Sequence, residues 1–188
     1  DSAYIGRELE YGSSSRYGGK NPFTGITTQH TPIKKVEFGY SVRVVGRSLF
    51  SNSDALESVI FGENVTDILS SSFASCTSLK TIVFPASITQ IANAFNGCKI
   101  STVICLGETP PTLSTRISTP SPTLFVPEGC LEAYKNDNMW GNEKYFAKII
   151  DATYVPDFMV DGIKYSMKGK GEVGVVAIND TTKYEGDI

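Results

Sequence analysis

The sequence is poor in the residue types on which most catalysis rests. It has one histidine, His30, in a threonine-rich stretch. Any Ser-His-Asp or Cys-His relay would have to use it, and a surface-loop histidine is the simpler reading. No H-E-x-x-H, G-x-S-x-G or P-loop pattern occurs. The four cysteines (Cys76, Cys98, Cys105, Cys130) form no C-x-x-C pair, and no histidine pair accompanies them, so a zinc site is not indicated. Apolar runs are too short to span a bilayer as a helix. Positive charge is scarce as well: 17 Lys and Arg against 20 Asp and Glu give a net charge of -3, which argues against nucleic acid as a partner. The chain begins at Asp1 rather than Met, as expected of a processed or truncated chain whose export signal has been removed.

Smaller candidates for chemistry have simpler explanations. Lys168-Gly-Lys-Gly-Glu172 is glycine-rich but has no helix signal after it, so it reads as a turn. Asp151, Asp157 and Asp161 gather near one another in sequence without the spacing of a calcium loop, and solvated loop carboxylates are expected. No acidic pair stands out for polysaccharide hydrolysis, although any two of 20 carboxylates could approach. No cofactor or metal is expected. Asn64-Val-Thr66 and Asn179-Asp-Thr181 match the glycosylation pattern, but Asn64 occupies a repeat position where its amide is expected to bond neighbouring backbone.

What the sequence does have is periodicity. Leu56-Glu-Ser-Val59-Ile-Phe61-Gly-Glu-Asn64 recurs as Leu79-Lys-Thr-Ile82-Val-Phe84-Pro-Ala-Ser87, and Ile33-Lys-Lys-Val36-Glu-Phe38-Gly-Tyr-Ser41 precedes both. Phe38, Phe61 and Phe84 are spaced 23 residues apart, as are Val42, Val65 and Ile88, and Val45, Ile68 and Ile91. L-x-x-L-x-L-x-x-N at such a period is the mark of a leucine-rich-repeat solenoid. Each coil is expected to hold a short strand, a turn at Gly39, Gly62 or Pro85, a second extended piece, and a segment ending in Phe50, Phe73 or Phe95. The expected fold is a mainly β repeat solenoid, a short right-handed superhelix with one parallel sheet, capping segments and a C-terminal β-hairpin. Phe50, Phe73 and Phe95 should form one buried file, and Val36, Val59, Ile82 and Val103 another. The third coil is one residue short before Phe95, and a fourth begins at Ile100 with a reduced offset and is interrupted by Thr109-Pro-Pro-Thr112.

Residues 1–30 are not periodic and are expected to cap the first coil, with a possible strand at Tyr4–Tyr11. Residues 31–150 hold the solenoid and its C-terminal cap, in which a short helix near 129–137 carries Leu131 and Tyr134 on one face, followed by Trp140, Tyr145, Phe146 and Ile149. Residues 151–188 read as a β-hairpin, Phe158–Met167 with Val173–Ile178, or as the start of a further unit. Two strands alone are barely stable, so this segment should pack on the solenoid or on a neighbour. Cys76 and Cys98 occupy equivalent coil positions at about 5 Å. A disulfide is geometrically conceivable there, and a small buried residue filling a tight corner is the simpler reading.

The motifs Val65-Thr-Asp-Ile68…Ser72-Phe73-Ala-Ser-Cys76-Thr-Ser-Leu79-Lys-Thr-Ile82-Val-Phe84-Pro85 and Ile88-Thr-Gln-Ile91-Ala-Asn-Ala94-Phe95-Asn-Gly-Cys98 resemble the BspA-like leucine-rich-repeat family of bacterial surface proteins. Leu124-Phe-Val-Pro-Glu-Gly-Cys-Leu-Glu-Ala-Tyr134-Lys…Trp140 is similar to the usual end of such arrays, and Val160-Asp-Gly-Ile163-Lys-Tyr165…Ile188 to a linking hairpin. The resemblance implies secretion or cell-surface display and adhesion-type binding of a host or neighbouring-cell macromolecule, such as an extracellular matrix protein. It implies no catalytic residues. Alternatives are a spacer block within a larger surface protein, or a polysaccharide hydrolase.

Strand alternation turns this expectation into residues. Two outward columns should cross the coils: Lys35, Ser58, Thr81, Thr102 and Thr123, which is polar, and Glu37, Ile60, Val83, Ile104 and Phe125, which is apolar for four consecutive strands. Such a strip marks a contact surface, with Phe125 as its anchor, unless a cap, the C-terminal hairpin or an oligomer mate covers it.

Overall fold

The computed structural model describes residues 33–151, together with the backbone of strands Ser2–Ile5, Phe158–Val160, Ile163–Lys168 and Glu172–Val176. His30, Asp157, Asp161 and the Asn179 sequon lie outside the described residues.

Each coil contributes one strand to a long side and one two-residue strand to a second side. The long side runs β1 (Ser2–Ile5), β2 (Lys35–Phe38), β4 (Ser58–Ile60), β6 (Thr81–Phe84), β8 (Thr102–Cys105), β10 (Thr123–Val126) and β11 (Lys148–Asp151). The second side is β3 (Val44–Val45), β5 (Asp67–Ile68), β7 (Gln90–Ile91) and β9 (Thr112–Leu113). All pairs on both sides are parallel, and the result is a mainly β solenoid of about five turns. The expectation of one parallel sheet needs correcting. The second extended piece of each coil is itself a four-stranded sheet, and the long side divides into β1-β2-β4 and β6-β8-β10-β11. Two-residue strands give too little alternation to be read as strands in a sequence.

A third set of inter-coil bonds ties the turn-rich side. Ser48, Phe50 and Asn52 donate their N–H groups to Ser70, Ser72 and Ala74, and Ser71, Phe73 and Ser75 donate to Asn93, Ala94 and Asn96. This geometry requires left-handed residues once or twice per coil: Ser48, Asn52, Ser71, Ser75 and Gly97 all have positive φ. Backbone groups that a globular loop would leave to water are therefore paired coil to coil.

The interior is filled by two facing phenylalanine ladders. Phe50, Phe73 and Phe95 stack at 5.8 and 5.4 Å with rings 8° from parallel. Phe38, Phe61 and Phe84 stack opposite them at 5.6 and 6.2 Å. Between ladders the rings meet edge-on, as at Phe38–Phe50 and Phe61–Phe73, the geometry aromatic quadrupoles favour. Val36, Val59, Ile82 and Val103 are buried as expected.

The ladders end at Trp140. Where Phe84 is followed in its column by Cys105, a smaller residue, the indole packs edge-on against Phe84 at 6.4 Å and stacks on Phe146 at 5.2 Å. Helix α1 (Leu131–Lys135), shorter than the expected 129–137, brings Tyr134 against it at 5.7 Å. Both polar tips are satisfied: the Trp140 Nε1–H donates to Pro111 O at 2.7 Å and the Tyr134 hydroxyl to Gly107 O at 2.8 Å. Burial, and then the neighbouring Cys105 thiol, push the Tyr134 hydroxyl well above its usual range. The prolines before β9 do not end the fourth coil. Thr112 and Leu113 pair with Gln90 and Ile91, and Pro111 lends its carbonyl to Trp140.

Residues 158–176 contain three strands rather than two. β12 (Phe158–Val160), β13 (Ile163–Lys168) and β14 (Glu172–Val176) pair antiparallel in that order. Val160 pairs with Ile163, so the stretch from Phe158 to Met167 is two paired strands and not one.

Candidate functional site

The long side of the solenoid carries both predicted columns, and register aligns them as expected. Lys35 pairs with Ser58, and Thr81 with Thr102 and Thr102 with Thr123. Glu37 pairs with Ile60, Val83 with Ile104, and Ile104 with Phe125. The polar column Lys35, Ser58, Thr81, Thr102 and Thr123 is half-buried throughout, as in-plane neighbours on a sheet surface are.

The apolar column divides in two. Glu37, Ile60 and Val83 are half-buried, whereas Ile104 is 1% exposed and Phe125 7%. The expectation of four exposed apolar residues in a row is therefore corrected: Ile60 and Val83 are half-exposed, and Ile104 and Phe125 are buried. Neither Ile104 nor Phe125 joins the interior cluster, to which their neighbours Val103, Leu124 and Val126 belong. They face outward and are covered. Phe125 cannot anchor a ligand in this arrangement.

Register also adds members that sequence reasoning missed. Ile150 pairs with Phe125 and continues the apolar column, and Tyr4 holds the register position beside Glu37. The signal for Ile150 was its neighbour: Ile149 packs against the core, so residue 150 must lie on the other face. Among the described residues, β4 and β6 are not hydrogen-bonded neighbours. Ile60 and Val83 flank this seam, and Val59 and Phe61, at 7% and 9% exposure, are less buried than their counterparts Val36, Phe38, Ile82 and Phe84 in the neighbouring coils.

Away from this face the polar groups hold coils together. The Asn64 amide donates to Tyr40 O at 3.0 Å and the Ser87 hydroxyl to Val65 O at 2.7 Å, the backbone role anticipated for the repeat asparagine. Asp151 accepts from the Gly129 N–H at 3.0 Å. Cys76 and Cys98 are free, buried thiols that donate to Phe50 O and Phe73 O, at 3.2 and 2.9 Å. The Cys98 side chain and burial hold the Cys76 thiol well above the usual thiol range, so Cys76 is not poised as a thiolate nucleophile, while the hydrogen bond with Cys76 lowers the Cys98 thiol. Among the described residues, no three His, Cys, Asp or Glu side chains are grouped to hold a metal ion. Nor is any described helix long and apolar enough to cross a membrane.

The model of the BspA-type leucine-rich-repeat region matches residues 18–112, half of the chain, as six copies. The chain belongs to the BspA-type leucine-rich-repeat family. The match begins within the segment read as a cap, after β1, and it stops before β10. Members of this family are typically surface repeat proteins. No curated protein and no solved structure matches the chain.

Proposed function

We propose that this BspA-type repeat block is a non-catalytic binding module, secreted or displayed at the cell surface, that holds a macromolecular partner against the long side of the solenoid. The observation that carries the reading is the half-exposed pair Ile60 and Val83, set beside a column of hydroxyls from Ser58, Thr81 and Thr102. Aliphatic groups desolvated at the centre of a contact, with hydroxyls at its edge, are the composition of protein-binding surfaces. A solenoid presents such a surface as an extended face rather than a pocket. The family-level expectation for the partner is an extracellular matrix protein of the host or of a neighbouring cell.

The test is a panel of matrix proteins and glycans passed over the immobilised chain, with the Ile60→Ser/Val83→Ser variant in parallel. Neither side chain is in the interior cluster, so the fold should survive. Binding should weaken at least about tenfold, as loss of central apolar contacts does. A ligand that binds the variant as tightly as the parent would move the site elsewhere.

A further inference from the structure

Ile104 and Phe125 point away from the solenoid interior and are nonetheless buried within a single chain. Something in this chain covers the C-terminal half of the sheet face and leaves the N-terminal half only half-buried. The segment that closes the interior is not the cover, because Tyr134, Trp140 and Phe146 all belong to the inner cluster. Nor does the burial track β1 and β2. Ile60 and Val83 stand nearer to β1 and β2 than Ile104 and Phe125 do, and they are the less buried ones.

We infer that the three-stranded sheet β12–β14 lies over Ile104 and Phe125 and sets the limit of the open binding face. Its pairing register makes it two-faced. Phe158 pairs with Tyr165 and Tyr165 with Val175; Val160 pairs with Ile163, and Met167 with Val173. Those seven residues share one face of the sheet by alternation, and all are apolar or aromatic. The alternate positions are mixed: Met159 and Val176 flank Lys164, followed by Ser166, Gly174 and the pair Lys168 and Glu172. A small sheet with one apolar face needs a surface to bury it. The tether fits: β11 ends at Asp151 beside Val126, one residue past the Phe125–Ile150 pair, and residues 152–157 span up to about 20 Å when extended. Ile104 lies only two strands from β11, about 10 Å away.

The packing holds whether or not the face binds a ligand. Its consequence for the ligand rests on the function proposed above: contact is confined to the Glu37–Ile60–Val83 half while the sheet is docked, and undocking would extend the apolar strip through Ile104, Phe125 and Ile150. The deciding experiment therefore uses no ligand.

In the full chain carrying Cys130→Ser, a thiol is placed at Val83→Cys or at Phe125→Cys and its reaction with a maleimide is timed. The Val83 site should react readily and the Phe125 site slowly. Adding Tyr165→Asp with Val175→Asp should speed the Phe125 site about tenfold or more and leave the Val83 site unchanged. A Phe125 site indifferent to that pair in a chain with native Trp140 emission overturns the inference, as does one that reacts as fast as Val83 in the parent. Should the charged variants fail to fold, the unsubstituted chain decides. Nuclear Overhauser contacts from the Phe125 ring to the methyls of Val160, Ile163, Val173 or Val175 support the docking, and contacts to methyls of any other segment in their place refute it.

Discussion

The middle coils and the closing coil solve the same packing problem differently. From Phe38 to Phe95 the interior repeats: rings stack on their own kind about one coil apart, and each ladder braces the other edge-on. After Phe84 the repeat stops. Cys105 and Val126 take the next places in that column, and one large residue brought from outside the array, Trp140, fills the end together with Tyr134 and Phe146. A repeated contact can be satisfied by a neighbour of the same type. A terminal one cannot, because there is no next coil, and so the cap uses residues that carry both bulk and a hydrogen-bonding tip.

The largest effect should come from breaking a ladder at its centre. Phe73 touches Phe38, Phe50, Phe61 and Phe95 and is fully buried. Phe73→Ala should cost about 3–5 kcal/mol, the range for large aromatic truncations in cores, read from the urea unfolding midpoint at constant slope. Coils packed more loosely than these ring distances imply would collapse around the gap, and the loss would fall well below that range.

At the cap the contribution is of a different kind. Trp140→Phe keeps an aromatic ring against Phe84 and Phe146 but removes the Nε1–H donor to Pro111 O. The buried carbonyl is then unsatisfied, and a cost of about 1–3 kcal/mol is expected, smaller than that of the ladder break. Gly141, the next residue, tests the same corner from the backbone. A Cβ there would run into the Lys135 carbonyl, so Gly141→Ala should lower stability by about 1–3 kcal/mol, as overpacking does, in the same unfolding assay.

The contrast between coil and cap also explains which parts were legible beforehand. The 23-residue spacing gave the coils and the Phe50, Phe73 and Phe95 file, because every coil imposes the same demand at the same place. Tyr134 and Trp140 stood out by size and position. The second parallel sheet was hidden because two-residue strands such as Val44–Val45 carry no alternation. The covering of Ile104 and Phe125 was hidden for a deeper reason. Alternation says which way a residue points, not what lies beyond it, and Ile104 is as apolar and β-branched as the half-exposed Ile60. Ile150 and the β11 strand were missed because the array was expected to end with the cap, whereas the ladder resumes after it.

The smallest effect lies within the repeat itself, where two equivalent turn positions carry different residues. Ser75 and Gly97 both sit in the left-handed region, at φ 62° and 78°, and Ser75 donates its N–H to Asn96 of the next coil. Glycine adopts this conformation without steric cost; serine does not. Gly97→Ala should therefore destabilise the protein by about 1 kcal/mol, since alanine is strained at positive φ. The added Cβ would also stand 3.1 Å from the Ser75 hydroxyl, which can rotate away. Ser75→Gly should do the opposite and gain only a few tenths of a kcal/mol, because relief of strain is offset by the greater freedom glycine has in the unfolded chain. Thermal unfolding of the two variants beside the parent gives both signs in one experiment. A Ser75→Gly chain that unfolds well below the parent would mean that the serine side chain makes a contact worth more than its backbone strain, and the two turns would then not be equivalent.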